Sequence, residues 1–274
     1  MSLTYSAALA ASKGGRRYQE DFALAVVPGA EAVRAADEER SPHLGPAAEM
    51  LLVLCDGMGG HVGGATASRI AAEHFAAEHA QQRQAHAIDM PLRLETSLRA
   101  ANDALAGEIA LERGLRGMGT TLVGVHLGPG GLHWVSVGDS PLYLWRRGEL
   151  ARINADHSLA PEIDRLASAG RISTFIARND PRRHFLRSAV SGDEIELIDL
   201  SAKPIELFAG DIVIAASDGV HTLDDPVIAS ALGEHAGHDA NEIAATLVRL
   251  VDDAGAMNQD NTTVIAVRVA AQEP

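Results

Sequence analysis

A single cysteine, Cys55, stands in 274 residues. It cannot form an internal disulfide, and it excludes a cysteine-rich zinc site. Aromatic residues are scarce, with two Trp, three Tyr and five Phe, so the core must be built mainly from Ala, Val, Leu and Ile. Lysine is nearly absent: beyond Lys13 and Lys203, every basic side chain is arginine. Positive charge is short overall, with 23 Lys and Arg against 37 Asp and Glu, for a net charge of −14. A nucleic-acid partner calls for a basic surface, so that class is disfavoured. No apolar run reaches the ~18 residues of a membrane span. The N-terminus has no basic stretch ahead of its apolar residues, which argues against a signal peptide. These absences predict a cytoplasmic, acidic, globular protein with neither a membrane nor a nucleic-acid partner.

The remainder is ordinary globular composition, 46% apolar and 22% charged, and long enough for a sizeable core. No repeat, low-complexity segment or Gly/Ser linker divides the chain, so a single domain over residues 1–274 is expected.

Leu3 to Ser12 and Phe22 to Val27 have strand character, and the continuous apolar run Met50 to Cys55 predicts a strand covered on both faces. Pro28 to Glu49, with three prolines and the charged run Asp37 to Arg40, reads as a surface loop. Gly63 to Gln81 and Pro91 to Arg113 read as helices, the second with Leu94, Leu98, Ala101, Leu105 and Ile109 on one face and Asp89 as a possible cap. Strands follow at Gly119 to Leu127, Leu132 to Val137 and Leu142 to Trp145, with a hairpin turn at Arg147 to Glu149. Asp211 to Ala216 is another buried strand. Asp239 and Glu242 open a helix with Ile243, Leu247, Leu250 and Val251 on its stripe, and Thr263 to Val269 closes the chain as a strand. Strict β–α alternation is absent. That predicts an α+β fold with antiparallel sheets and helices outside.

The placement of aspartate is the chemical signal. Asp56, Asp139, Asp218 and Asp260 each stand at the end of an apolar strand beside Gly, Ser or Asn. Such a strand fixes the carboxylate, and a small neighbour admits backbone and water. Each Asp-Gly pair taken alone is also ordinary turn chemistry. Four converging would form the oxygen-rich site that Mg²⁺ or Mn²⁺ prefers.

Other chemistries fail on spacing. Gly59 to Thr66 approaches a phosphate loop, but Ala65 stands where the lysine belongs. The dinucleotide fingerprint is broken at Val62. Cys55 lacks the arginine of a cysteine phosphatase, and no Gly-x-Ser-x-Gly is present. His74, Glu78 and His79 miss an inverted zinc motif by one residue and read as a solvated helix face.

Taken in order, the motifs resemble the metal-dependent serine/threonine phosphatases of the PPM (PP2C-like) family in their compact bacterial form. They are Arg16-x-x-Gln-Glu-Asp21, Asp56-Gly-Met-Gly-Gly-His61, Gly119-Thr-Thr121, Gly138-Asp-Ser140 with Tyr143-Leu144, Asp156-His-Ser158, Ser217-Asp-Gly219 and Asp260-Asn261. They span nearly the whole chain, and the ordered set is far more specific than any member. The resemblance implies a four-layer αββα sandwich, two antiparallel sheets face to face with helices outside. It implies hydrolysis of phosphoserine and phosphothreonine in proteins by a water that two metal ions activate, without a covalent intermediate.

Residue by residue, it implies that Asp56 bridges two ions, Mn²⁺ or Mg²⁺, and that the Gly57 carbonyl binds one of them. Asp218 and Asp260 complete the ligands of the first ion, and Glu20 and Asp21 hold metal-bound water. Asp139, with Asp218, would hold a third ion. Arg16 suits a forked grip on the substrate phosphate. His61 is a further candidate substrate contact. Gln19, Met58 and Pro141 depart from commoner family residues, Met58 standing where several members have a histidine proposed as general acid. The implied partners are phosphoproteins, including a cognate kinase or its substrates, and the implied state is a monomer. A non-catalytic phosphoprotein-binding or scaffolding module on the same fold is the competing reading. A regulatory phosphatase dedicated to one small phosphoprotein is another.

The stretch of about 160–190 corresponds to the family's variable flap. Arg165 to Arg187 holds six arginines and one acid, Asp180. It is either a solvated surface or a basic rim in which Arg182 and Arg183 draw in acidic phosphopeptides.

Overall fold

The computed structural model describes residues 2–35, 43–59, 62–84, 89–111 and 117–272. In chain order the strands are β1 (Leu3–Ser12), β2 (Phe22–Val26), β3 (Val33–Arg34), β4 (His43–Ala47), β5 (Met50–Cys55), β6 (Gly57–Met58), β7 (Gly119–Thr120), β8 (Leu122–Gly128), β9 (Gly131–Val137), β10 (Leu142–Arg146), β11 (Glu149–Arg152), β12 (Asp199–Leu200), β13 (Ile212–Ala216) and β14 (Thr262–Ala271). The helices are α1 (Val62–Gln84), α2 (Met90–Leu111), α3 (Ala160–Ser168), α4 (Thr174–Arg178), α5 (Asp225–Glu234) and α6 (Ala240–Asp253).

Two six-stranded sheets form the centre, in the orders β11-β10-β13-β14-β1-β4 and β12-β9-β8-β5-β2-β3. The pairings within them are antiparallel. The apolar run of β5 shows how the layers arise. Met50, Leu52 and Leu54 face the other sheet, while Leu51, Val53 and Cys55 face α1 and α2. The two-residue strand period therefore feeds two cores from one strand. On the first sheet, Val213 and Ala215 point inward while Ile212, Ile214 and Ala216 meet α5 and α6. This is the αββα sandwich the motifs implied.

The helix stripes behave as their periods dictate. Leu94, Leu98, Ala101 and Leu105 of α2 are buried. On α6, Asp239 caps the helix by accepting the Glu242 N–H at 2.8 Å, and Ile243, Leu247 and Val251 are buried. Among the described residues no helix is long and apolar enough to cross a membrane.

Three expectations change. The loop expected over Pro28 to Glu49 contributes β3 and β4, the outer strand of each sheet. Edge strands have one neighbour and tolerate proline, here Pro46, so they lack the hydrophobic signature of an interior strand. Its charged run, Asp37 to Arg40, lies outside the described residues, as does the expected helix end at Arg113. The strand expected over Gly119 to Leu127 is broken at Thr121, because β7 leaves the sheet to pair with β6. Finally, His79 is 4% exposed, so it does not belong to a solvated helix face.

Candidate active site

The aspartates gather where strands of both sheets end. Asp56 follows β5, Asp139 follows β9 and Asp218 follows β13. Asp260 instead precedes its strand, β14. It joins the others because β13 and β14 run antiparallel, with Ala216 opposite Val264, so the end of one lies beside the start of the other. In the second sheet Phe22 pairs with Cys55, which sets the Glu20–Asp21 segment next to Asp56.

Close backbone approach explains the glycines beside two of these acids. A Cβ on Gly57 would collide with the Gly64 and Glu20 carbonyl oxygens, and one on Gly219 with the Asn261 carbonyl. Asp-Gly here brings loops together and serves more than turn geometry. Hydrogen bonds then fix the acids. The Asp56 N–H donates to Thr121 Oγ1 at 3.0 Å, and the Thr121 N–H and Thr120 hydroxyl donate to the Asp56 carbonyl at 2.9 and 2.8 Å. Thr121 Oγ1 also meets Ser140 Oγ at 2.7 Å, tying the second aspartate turn to the first. Ser217 Oγ donates to Asp21 Oδ2 at 2.8 Å. Asn261 staples the opening segment: its Oδ1 accepts the Glu20 N–H at 2.8 Å, and its Nδ2 donates to the Lys13 and Tyr18 carbonyls at 2.9 and 3.0 Å.

The electrostatics are those of crowded anions. Loss of water, then Asp21, Asp218, Asp139 and Asp260, pushes the Asp56 carboxyl well above its ordinary range. Burial pushes Asp21 up to about 7 against the Ser217 hydrogen bond. Asp139 also rises to about 7, from burial and the charges of Asp218 and Asp156. Asp218 rises through burial and Asp260. Arg16 bonds a carboxylate of the cluster, its Nη2 donating to Asp260 Oδ2 at 2.5 Å. Carboxylates held this close call for positive charge, and the donor set is all oxygen. Asp56, Asp139, Asp218 and Asp260 with the Gly57 carbonyl therefore suit hard divalent ions such as Mn²⁺ or Mg²⁺ rather than zinc.

Asp56, Asp139, Asp218 and Asp260 line an open cleft of about 680 Å³, together with Arg16, Glu20 and Met58. His184, Phe185 and Leu186 line the same cleft. These three carry no spacing pattern, and sequence reasoning missed them. Their position follows from the Asp156-His-Ser158 segment. The His157 N–H donates to the Gly138 carbonyl at 3.0 Å, the Leu159 N–H to Phe185 O at 3.0 Å, and the Arg187 N–H to His157 O at 2.8 Å. Arg152 braces the same corner, donating to the Asp139 carbonyl at 2.7 Å and to Asp156 at 3.1 Å.

Residues 160–190 hold α3, α4 and a 3₁₀ turn, Pro181–His184. Arg182 forks onto Asp180 at 3.0 and 2.7 Å. Arg183 forks onto Asp164, which lies just before the arginine-rich stretch, at 2.6 and 2.9 Å. Both charges are thus partnered within the segment, and neither side chain lines the cleft. His61 lies outside the described residues.

A family model described as Protein phosphatase 2C matches residues 43–259. The serine/threonine protein phosphatase PstP of Mycobacterium tuberculosis is 34% identical over 220 residues, 80% of this chain and 40% of PstP. The serine/threonine phosphatase stp of Listeria monocytogenes is 32% identical over 174 residues, 62% of this chain and 66% of that protein. This chain thus spans well under half the length of PstP. Among solved structures, that of M. tuberculosis PstP/Ppp superposes with a TM-score of 0.74 at 28% identity, covering 98% of this chain and 100% of that one. The PstP catalytic domain in complex with two manganese ions gives a TM-score of 0.72 at 28% identity, with the same coverage of both chains.

Proposed function

Because the chain belongs to the protein phosphatase 2C family, we propose that it hydrolyses phosphoserine and phosphothreonine in proteins, using divalent cations held by its aspartate cluster. One observation carries the reading. Asp56, Asp139, Asp218 and Asp260, supplied by separate strands of two sheets, meet in one open cleft. Carboxylates so placed cost stability unless cations occupy the cleft. The relatives named as serine/threonine phosphatases support the substrate class, and the manganese in the PstP catalytic domain supports the metal.

In this reading Asp56, the Gly57 carbonyl, Asp218 and Asp260 would hold two ions, and Glu20 and Asp21 would orient water. Asp139 with Asp218 offers a place for a third. Bound there, the ions would supply positive charge to the phosphate oxygens and make a neighbouring water more acidic. The protein's own groups do the rest. Arg16, half exposed at the cleft rim, leaves Asp260 to fork two phosphate oxygens. His184, Phe185 and Leu186 flank the substrate chain. Water displaces the seryl or threonyl oxygen from phosphorus, giving inorganic phosphate and the free hydroxyl. Phosphoproteins are the partners this chemistry requires, and a cognate kinase or its substrates would be among them.

The test is an assay of the purified chain on a phosphothreonine peptide and on p-nitrophenyl phosphate. Turnover with Mn²⁺ that EDTA abolishes is the expected result. Binding of the phosphopeptide without turnover at saturating Mn²⁺ would replace catalysis with the scaffolding role.

A further inference from the structure

We propose that a cavity remote from the aspartates, between the end of α1, the start of α2 and the strands β2, β5 and β8, binds a small monocarboxylate with an apolar body. The cavity measures about 510 Å³, within the usual range of small-molecule sites. It is lined by His79 and Arg83 of α1, Arg93 of α2 and His126 of β8, with Val26 and Leu51 as apolar wall. Leu51 lies near the start of β5 and Asp56 follows its end, so roughly 17 Å of strand separates the two residues.

Arg93 Nε donates to the His79 carbonyl at 2.9 Å, and its Nη2 lies 3.0 Å from His79 Nδ1. A guanidinium only donates, so Nδ1 accepts and a neutral His79 carries its proton on Nε2. That N–H has no hydrogen-bond partner among the described residues, and neither has His126 Nδ1. The two residues are 4% and 6% exposed, and their ring centroids lie 5.4 Å apart. Buried polar atoms nearly always have a partner, so two orphaned ring nitrogens on one cavity mark a place where a partner belongs. Burial and the neighbouring Arg93 hold both rings neutral.

Charge selects the ligand. Arg83 is paired with Glu49 at 2.8 Å, so the two arginines share one carboxylate, and Arg93 has no ion-pair partner of its own among the described residues. A metal ion is disfavoured, because His79 Nε2 is protonated and a guanidinium stands beside it. One anionic head that accepts from His79 Nε2 balances one uncompensated cation. A phosphate dianion would need a second. Val26 and Leu51 then take an apolar tail.

Isothermal titration of the full chain with hexanoate, and separately with inorganic phosphate, tests the assignment. His79→Phe removes the donor, together with the acceptor that Arg93 Nη2 uses. Ala80→Leu, at an exposed position on the cavity rim, narrows the entrance without touching the core. Hexanoate should bind the wild type, and each variant should weaken it about tenfold or more, a loss of ~1.4 kcal/mol. Turnover of p-nitrophenyl phosphate should be unchanged in both, and Arg16→Ala should leave hexanoate affinity intact. The heat of binding needs no turnover, so an inactive protein would overturn the phosphatase reading and leave this test standing. Absence of hexanoate binding, binding by both variants as tight as by the wild type, or a phosphate site that His79→Phe abolishes would each overturn the carboxylate site.

Discussion

Arg16 and Asp260 are bonded across the mouth of the cleft, Arg16 Nη2 donating to Asp260 Oδ2 at 2.5 Å. The residue proposed to grip phosphate is therefore parked on a carboxylate proposed to hold metal. Both side chains are substantially exposed, at 55% and 40%. An ion pair of that exposure contributes about 1 kcal/mol or less, so a phosphate can displace Asp260 at small cost. Arg16→Ala should then leave thermal stability nearly unchanged and lower kcat/KM on a phosphopeptide by about 10²-fold, the cost of deleting one donor to developing charge. Arg16→Lys should recover only part, since an ammonium lacks the fork. Steady-state kinetics decide, and unchanged kinetics in Arg16→Ala would remove it from the site.

Metal should control stability as well as turnover. Asp21 and Asp139 have folded-state values raised to about 7, against about 3.9 for an unfolded aspartate. Between those values the folded protein holds more protons than the unfolded one. Stability without metal should be fully present below about pH 3.9 as far as these groups decide it, and lost as pH rises through about 7. EDTA should thus lower the Tm at neutral pH more than in mild acid. Asp218→Asn replaces a charge by a neutral amide of similar volume, so it should abolish turnover and raise the Tm of the metal-free protein. Calorimetry with and without Mn²⁺ checks both, and an unchanged Tm in Asp218→Asn would show that repulsion at this position is negligible.

The buried histidines give the opposite sign. His79 is pushed down to about 2 and His126 to about 4, by burial first and then by Arg93. An unfolded histidine titrates near 6.5, so below that value the unfolded chain takes up protons that the folded one refuses. Their contribution is present above about pH 6.5 and is lost as pH falls through the folded values. Urea denaturation of the Mn²⁺-loaded protein over that window should show stability falling with acidity, and His126→Gln should flatten the slope. A slope unaffected by that substitution would assign the acid sensitivity to other groups.

What could be read in advance depended on whether a residue's environment is set by local pattern. Asp56 and Asp218 were legible because each closes a run of buried strand residues, and the ordered motifs placed Asp139 and Asp260 with them. That Asp260 opens a strand rather than closing one depends on the pairing of β13 with β14, a long-range fact absent from its neighbourhood. His79 was misread because α1 is rich in alanine and its apolar stripe is faint. His79 packs against Arg93 of the next helix and His126 of β8. β3 and β4 escaped notice for want of a second neighbour to make them apolar. The pairing of Arg183 with Asp164 cancels a charge that a count over the arginine stretch leaves free. His184 had no signal, because the 3₁₀ turn that brings it to the cleft is placed by backbone bonds between Leu159 and Phe185 and between Arg187 and His157.

His184 offers the sharpest test of the cleft wall that lies outside the aspartate cluster. It ends the 3₁₀ turn, lines the cleft with Phe185 and Leu186, and lies near enough to Asp218 for its charge to lower that carboxyl. A seryl or threonyl oxygen leaves phosphorus as a strongly basic alkoxide and needs a proton, whereas p-nitrophenolate is a weak base and leaves without one. A proton donor on this wall should matter in proportion to the basicity of the leaving group. His184→Ala should therefore lower kcat on a phosphothreonine peptide by about 10²-fold, the lower end for general acid catalysis, with little change on p-nitrophenyl phosphate. Adding imidazole should restore part of the peptide rate. If both substrates slow equally, His184 shapes the wall or the metal ligands beside it and donates no proton. If neither slows, the wall contributes contacts through Phe185 and Leu186 alone.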